Sequence, residues 1–229
     1  MLLYQTIPVT PFQQNCSLLW CDQTLEAAVV DPGGDLELIR GEVQRRGVWL
    51  TQILLTHAHI AHAGGTGTLA RELGLPIVGP HPGDHFWIDG LAQHARMFGF
   101  KPVEPVSYSR WLADGDTLTV GNSTLAVRHC AGRTPGHVVF NSAEAQRAFV
   151  SDVLFSSSIG RTHFPGGDRD TVIASITQRL LSMGAATVFI PAHRVQDSLG
   201  RERRSNPCVA GTRGAPTRAS MPQPLAGHA

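Results

Sequence analysis

The sequence has little net charge, no closely spaced cysteine pair and no long apolar run. Lysine and arginine number 19, and aspartate and glutamate 18, in 229 residues, so the charge balance does not favour nucleic acid or an anionic membrane as a partner. The four cysteines form no CxxC pair, which indicates reduced thiols rather than a disulfide framework. The sequence shows neither a secretory leader pattern nor the roughly 18 consecutive apolar residues of a membrane helix. We therefore predict a soluble, cytoplasmic protein whose partner is a small molecule.

The apolar pattern predicts an α/β fold. Short β-type runs open the chain, and Leu36, Ile39 and Val43 then share one face of a helix that Gly47 ends. A strand, a helix, a group of strands, a helix and a last strand follow, at 49–56, 63–74, 117–155, 170–184 and 187–193. Two sheets packed face to face, with helices outside, would satisfy this order.

Two segments depart from the regular pattern. Residues 81–104 carry aromatic side chains and three histidines, and we predict an inserted loop and helix over one end of the sheet. The sequence leaves three roles open for this insertion: an apolar lid, an interface or a small separate core. From about residue 209 the chain is small, polar and rich in proline, which is typical of a mobile tail. We predict a single domain over 1–208 and a disordered tail over 209–229.

Three histidines follow the apolar run 53–56 in the segment "ILLTHAHIAH". His57 and His59 lie two positions apart, which places both side chains on the same side of an extended segment, and His62 begins the next helix and can point back at them. Such a turn can gather imidazoles around one or two cations. The alternative is three histidines on a solvated turn.

Four segments, "ILLTHAHIAH", "HCAGRTPGHVVF", "SDVLF" with "SIGRTHFPGGD", and "FIPAHR", stand in this order along the chain. Together they resemble the metallo-β-lactamase fold family, in particular its small glyoxalase II-like (hydroxyacylglutathione hydrolase-like) branch. The resemblance runs from about Ile7 to Pro207. It implies an α/β fold of the four-layered αββα sandwich type, with a two-metal site at one edge that binds zinc, iron or manganese.

The resemblance also implies a set of metal ligands, of which two are substituted. The motif positions that are kept are His57, His59, His62, Asp152 as the bridging carboxylate, and His193. The aspartate of the family's HxHxDH motif is Ala61, and the histidine of its "PGHTPGH" segment is Arg133. Each of the two metal positions has therefore lost one ligand of its own, and we predict at most one ion, with zinc favoured over iron or manganese.

Other positions near the predicted site also differ from the family pattern. Ser151 stands where glycine usually precedes the bridging aspartate, and His163 stands where the family usually has aspartate. His163 is either a replacement metal ligand or a surface histidine. Arg133 either competes with a cation for Asp152 or swings outward.

The resemblance favours a metal-dependent hydrolase of a thioester or ester. In this hypothesis Asp152 is catalytic through the metal, and Arg133 stabilises the oxyanion in place of the missing cation. A glutathione thioester is not predicted, because glutathione-specific relatives usually carry an added basic C-terminal helical segment. The second hypothesis is a non-catalytic member that keeps the fold for binding a ligand or partner. The third is a mononuclear iron oxygenase, ranked last because the related iron site uses the histidine that is Arg133 here.

Overall fold

Two β-sheets lie at the centre of the protein. The structure is a computed structural model and describes residues 1–210. The first sheet contains β1 Leu2–Val9, β2 Gln14–Cys21, β3 Glu26–Val30, β4 Trp49–Leu54 and β5 Ile77–Val78, in that spatial order. Its first three strands are antiparallel, as predicted, whereas β4 and β5 are added in parallel. Parallel neighbours need crossover connections, and these are α1 Leu36–Arg46, then α2 Ile60–Ala63 and α3 Thr66–Leu73.

The second sheet contains six strands and is mostly antiparallel. Its strands are β6 Thr117–Val120, β7 Ser123–His129, β8 Val138–Ser142, β9 Arg147–Ser151, β12 Val188–Pro191 and β13 Asp197–Ser198, in the spatial order β13-β12-β9-β8-β7-β6. A hairpin of β10 Leu154–Phe155 and β11 Ser158–Ile159 follows β9. The strand β12 joins β9 in parallel because α6 Arg169–Ser175, continued by short π and 3₁₀ turns to Met183, crosses between them.

Three apolar cores show that the layers are stacked as helices, sheet, sheet and helices. Successive residues of a strand point to opposite faces of its sheet. In β2, Leu18 therefore packs in the core beneath α1 and α3, while Leu19 packs in the core between the sheets. In β8, Val139 faces the core beneath α6, while Phe140 faces the central core. The four-layered αββα sandwich predicted from the sequence is thus confirmed.

The insertion and the C-terminal part of the described chain complete the outer layers. Residues 82–97 form a 3₁₀ turn Pro82–Asp84, α4 His85–Asp89 and α5 Leu91–Met97, which agrees with the predicted inserted helix. The helix α7 Leu199–Ser205, which begins where Ser198 accepts a hydrogen bond from the Arg201 amide, was not predicted. Val209, placed in the predicted tail, is buried in the core beside α6, and residues 211–229 lie outside the described part of the chain. Within residues 1–210 no helix is long and apolar enough to span a membrane.

Candidate metal centre and active site

The three clustered histidines are gathered in the turn that leaves β4. His57, His59 and His62 are all buried. The His57 Nε2 and His59 Nδ1 atoms are 3.1 Å apart, and the His57 and His62 rings are 4.1 Å apart between centroids. The turn is packed so tightly that a Cβ at Gly33 would lie 1.6 Å from the carbonyl oxygen of Ala61. The alternative of a solvated histidine turn is therefore wrong.

Asp31 organises this turn, although no sequence motif described above contains it. Its carboxylate accepts hydrogen bonds from the Thr56 amide (2.8 Å), the Thr56 hydroxyl (2.6 Å) and the Ser151 hydroxyl (2.9 Å). The fourth partner is His62 Nδ1, at 2.9 Å. A proton on Nδ1 leaves the lone pair of His62 on Nε2, the nitrogen that faces Asp152. The signal that could have found Asp31 is its place at the end of the buried strand β3, in "DPGGD".

Ser151 has a conformation that explains why glycine is usual at its position. Its φ angle is 50°, in the left-handed region that costs a side chain free energy. Its hydroxyl donates to Asp31 and lies 3.3 Å from His62 Nδ1. The hydrogen bond from the Ser151 hydroxyl therefore offsets part of the free-energy cost of the strained backbone.

Asp84, in the insertion, connects two loops of the site. Its buried carboxylate accepts hydrogen bonds from the Ala58 amide (3.0 Å), the Thr134 hydroxyl (2.9 Å) and the Gly136 amide (2.6 Å). Burial raises the pKa of Asp84, and these hydrogen bonds oppose the increase. The insertion therefore holds the histidine turn against the loop that carries Arg133, a role that the sequence did not reveal.

We expect Asp84→Ala to lower the free energy of unfolding by about 2–4 kcal/mol. The substitution leaves two buried backbone N–H groups without an acceptor, and each such group costs about 1–3 kcal/mol. Urea denaturation of the variant measures the loss. Asp89→Ala is the matched control, because Asp89 is exposed and bonds only the exposed His85 among the described residues. A loss below about 1 kcal/mol for Asp84→Ala would contradict the connecting role.

Arg133 points into the site. Only 6% of its surface is exposed, and one of its terminal nitrogens lies 2.6 Å from Asp152 Oδ2. The other donates to the Arg161 carbonyl oxygen at 2.7 Å, and the guanidinium lies 4.4 Å from the centre of the Phe164 ring. The alternative in which Arg133 swings outward is therefore wrong, and its charge does compete for the bridging carboxylate.

Asp152 is the point on which the predicted ligands converge. Its Oδ2 lies 3.8 Å from Nε2 of His57 and 3.8 Å from Nε2 of His62, and its Oδ1 lies 3.9 Å from Nε2 of His193. Burial acts to raise the pKa of Asp152, but the nearby His62 imidazole and the Arg133 guanidinium hold that pKa well below its ordinary value. The carboxylate is therefore ionised at neutral pH.

His57, His59 and His193 are neutral at neutral pH and can offer lone pairs. Burial lowers the pKa of His57 and of His59 well below the ordinary value for an imidazole. Burial also lowers the pKa of His193, which is about half-buried, and nearby Asp152 opposes the shift. Neutral imidazole is the form that binds a metal ion.

The donors do not fit the family's first metal position. His57, His59 and Asp152 form a compact group, with donor atoms within 4.8 Å of one another. However, the positive Arg133 guanidinium already contacts the Asp152 oxygen that faces His57. A cation at this position would have to displace a buried charge pair, so two ions do not fit this site.

The second position keeps three possible donors to one ion, namely His62, His193 and Asp152. Asp152 Oδ1 is buried and has no hydrogen-bond partner among the described residues, and it faces His193. A zinc shell with bonds of about 2.0–2.1 Å places its ligand atoms roughly 3.3 Å apart. His62 Nε2 lies 3.8 Å from Asp152 Oδ2, which Arg133 also contacts, and His193 Nε2 lies 3.9 Å from Asp152 Oδ1. These side chains would therefore have to move toward one another to hold one ion. Ala61, which supplies no donor here, lines the adjoining cavity, so a ligand position would stay open toward the cavity.

His163 lies apart from these donors. It is exposed, stacks on Phe164 with 4.8 Å between ring centroids, and lines the cavity. Within residues 1–210 there are two compact groups of donors, His57 with His59 and Asp152, and His57 with Asp31 and His62, and His163 belongs to neither. The replacement-ligand role of His163 stays a prediction. His137 lies deeper, stacked on His57 at 4.6 Å, in a structural position.

A cavity of about 930 Å³ opens over the site. Its floor contains His59, His62, Arg133, Asp152 and His193, and its walls are mostly apolar. Wall side chains come from the turn after β1, from the insertion, from the β10–β11 hairpin and from the segment after it, namely Phe12, Trp87, Met97, Phe98, Phe155, Ile159 and Phe164. The size suits a small organic ligand.

Comparison with known proteins identifies relatives across almost the whole described chain. A family model described as the metallo-beta-lactamase superfamily matches residues 9–193. Hydroxyacylglutathione hydrolase GloC of Haemophilus influenzae is 38% identical over 89% of this chain and 96% of its own length. The probable metallo-hydrolase YqgX of Bacillus subtilis is 28% identical over 91% of this chain and 98% of its own length.

Two solved structures agree with the fold and with a metal centre in relatives. The BLEG-1 B3 metallo-beta-lactamase superposes with a TM-score of 0.83 at 32% identity, over 91% of this chain and 100% of that one. TTHA1623, solved in a di-iron-bound form, superposes with a TM-score of 0.80 at 34% identity, over 89% of this chain and 98% of that one.

Proposed function

Because the chain belongs to the metallo-β-lactamase superfamily, whose relatives include hydrolases, we propose that it is a metal-dependent hydrolase of a thioester or ester. The proposed centre is mononuclear, with His62, His193 and Asp152 as ligands. The observation that carries this proposal is Asp152 Oδ1, a buried carboxylate oxygen without a hydrogen-bond partner among the described residues, facing His193. An ionised oxygen of this kind is costly to bury unless a cation or donor joins it.

The protein groups around the centre have separate tasks. A bound ion would supply a water of lowered pKa and polarise the substrate carbonyl. Asp31 holds His62 in the tautomer that presents Nε2. Arg133 neutralises Asp152 Oδ2. It is one of the residues that line the cavity, and we assign it the further task of donating to a developing oxyanion. An arginine supplies charge and donors but cannot generate hydroxide.

The proposed substrate is a small molecule with a thioester or ester bond. The relative GloC is named for hydroxyacylglutathione, and this chain spans 96% of its length. A protein with that name therefore does not need an added C-terminal segment, and we include a glutathione thioester among the candidate substrates, which the sequence did not predict. A cytoplasmic location and zinc as the preferred ion belong to the same proposal.

A non-catalytic role is the second candidate, and the Arg133–Asp152 pair favours it. The pair closes the first metal position with a buried cation of the protein's own, and Ala61 removes a donor from the second. In this role the fold and cavity would bind a ligand without turning it over. The mononuclear iron oxygenase remains third, and iron content with oxygen consumption by the purified protein tests it.

We expect about one metal ion per chain in protein purified without a histidine tag, measured by elemental mass spectrometry. His193→Ala should abolish the metal, because two protein donors do not hold a zinc ion tightly. His163→Ala is the matched comparison at the cavity wall, and retention of metal in this variant would assign His163 to the surface. Protein that stays metal-free after loading with zinc, iron and manganese would overturn the hydrolase proposal in favour of the non-catalytic one.

A further inference from the structure

We propose that the cavity over the metal centre binds apolar-chain carboxylates and their thioesters. The inference rests on the proposed function for the identity of the substrate, since hydrolysis of such a thioester yields the carboxylate. The binding of the carboxylate itself is a property of the cavity and is measured without turnover. Two independent features of the cavity, its apolar walls and its unbalanced positive charge, point to this class of ligand.

The apolar walls carry aromatic side chains both beside the metal centre and at the mouth. Trp87 packs edge-on against His59 at 4.5 Å and lies 6.4 Å from the Phe164 ring. At the mouth, Phe12 lies 6.4 Å from Phe98. Deep contacts of this kind suit a long apolar group that begins at the metal centre.

The mouth exposes large apolar side chains that a ligand would cover. Phe12, Met97 and Phe98 line the cavity and are 48%, 66% and 52% exposed. They come from the turn after β1 and from the end of α5, and the Phe12 and Phe98 rings lie edge to face. A contiguous apolar surface in a concave site is typical of ligand binding rather than of an ordinary protein surface.

The charged residues of the cavity leave an excess of positive charge. The lining contains three arginines, Arg133, Arg161 and Arg194, and a single carboxylate, Asp152, which leaves two positive charges unbalanced. Arg133 is paired with Asp152. Neither Arg161 nor Arg194 forms an ion pair within residues 1–210, and both are exposed at the cavity. This charge favours anions and disfavours cations of the same shape.

The two features together select an amphipathic anion. A short polar anion would leave the aromatic walls in contact with water, and an apolar cation would meet two unpaired guanidinium groups. A carboxylate with a long alkyl chain covers the aromatic walls and brings a negative charge to the unpaired arginines. Its head can lie near Arg133 and the metal centre, and its chain can follow Trp87 and Phe164 toward Phe12 and Phe98.

Isothermal titration calorimetry with sodium decanoate tests the inference, with butyrate, decanamide and decyltrimethylammonium as comparisons. Decanoate should bind at least a hundredfold more tightly than butyrate, because each buried methylene contributes about fourfold in affinity. It should also bind more tightly than the neutral amide, and the cation should not compete. Equal affinity for decanoate and the cation, or no decanoate binding at all, would overturn the inference.

Two cavity variants, each with a control variant outside the cavity, locate the binding site. Phe98→Ser should weaken decanoate binding about tenfold or more by removing the apolar contact, while Leu38→Ser, at an exposed position of α1 outside the cavity, should not. Arg161→Gln should weaken it about two- to fivefold, the usual size of an exposed charge contact, and Arg169→Gln, outside the cavity, should not. Unchanged affinity in both cavity variants would overturn the assignment of the site.

Failure of this inference and failure of the proposed function have different signatures. Decanoate titrations on chelator-treated and metal-loaded protein report the cavity, while turnover of decanoyl and acetyl thioesters reports the centre. Decanoate binding without any thioester turnover would remove the hydrolase proposal and leave the ligand class standing. Turnover of the acetyl thioester without decanoate binding would support the hydrolase proposal and overturn the ligand class.

Discussion

The double variant Ala61→Asp/Arg133→His should bind two metal ions per chain and hydrolyse thioesters at least a hundredfold faster than the natural chain. The two substitutions restore the ligands that the family pattern has at these positions. They also remove the guanidinium that contacts Asp152 Oδ2. A second cation would then face the same carboxylate, and loss of a single preorganised electrostatic contact typically costs about 10²–10³ in rate.

The geometry favours the restoration at both positions. His57 Nε2 and His59 Nδ1 are already 3.1 Å apart, close to the separation that two ligands of one zinc ion require. Ala61 lines the cavity, so an aspartate there has open space in front of it. Metal content by elemental mass spectrometry, and thioester turnover with added zinc, iron or manganese, measure the result.

Two variants separate the gain of ligands from the loss of charge. Arg133→Met removes the guanidinium without adding a donor, and Ala61→Asp adds a donor while the guanidinium stays. Neither should reach two ions per chain. If Arg133→Met alone reached the activity of the double variant, the charge of Arg133 and not the missing ligand would be the obstacle, and the ligand assignment would be wrong.

Asp152→Ala should lower the free energy of unfolding by about 3–5 kcal/mol in the presence of a chelator. The substitution leaves Arg133, which is 6% exposed, as a buried positive charge without its carboxylate partner, and an uncompensated buried charge typically costs this much. Urea denaturation with a chelator present isolates this effect from any stabilisation by metal binding.

A double-mutant cycle with Arg133→Met tests the cause. The methionine fills much of the same space without a charge, so Asp152→Ala/Arg133→Met should recover at least half of the stability lost in Asp152→Ala. The two single losses would then exceed the loss of the double variant. Losses that add within about 0.5 kcal/mol would show that the two side chains do not interact.

The fold could be predicted from the sequence because the pattern of each strand and helix is local, and because its motifs resemble those of a known family. The strand and helix periods of residues such as Leu36, Ile39 and Val43 express which faces are buried, and they repeat in the order that a layered α/β sandwich requires. The short helix α7 was missed because seven residues with several charges carry little periodic signal.

The sequence by itself determined the layered fold. It also determined which residues stand at the five retained motif positions and at the two substituted ones, Ala61 and Arg133, because residue identity at a motif position is a property of the chain alone. Only the tertiary structure decided where those side chains point. The inward ion pair of Arg133 with Asp152 joins residues 19 apart, and the Ser151 contact with Asp31 joins residues 120 apart. Contacts at such separations depend on how sheets and loops pack, and the anchoring roles of Asp31 and Asp84 therefore emerged only with the fold.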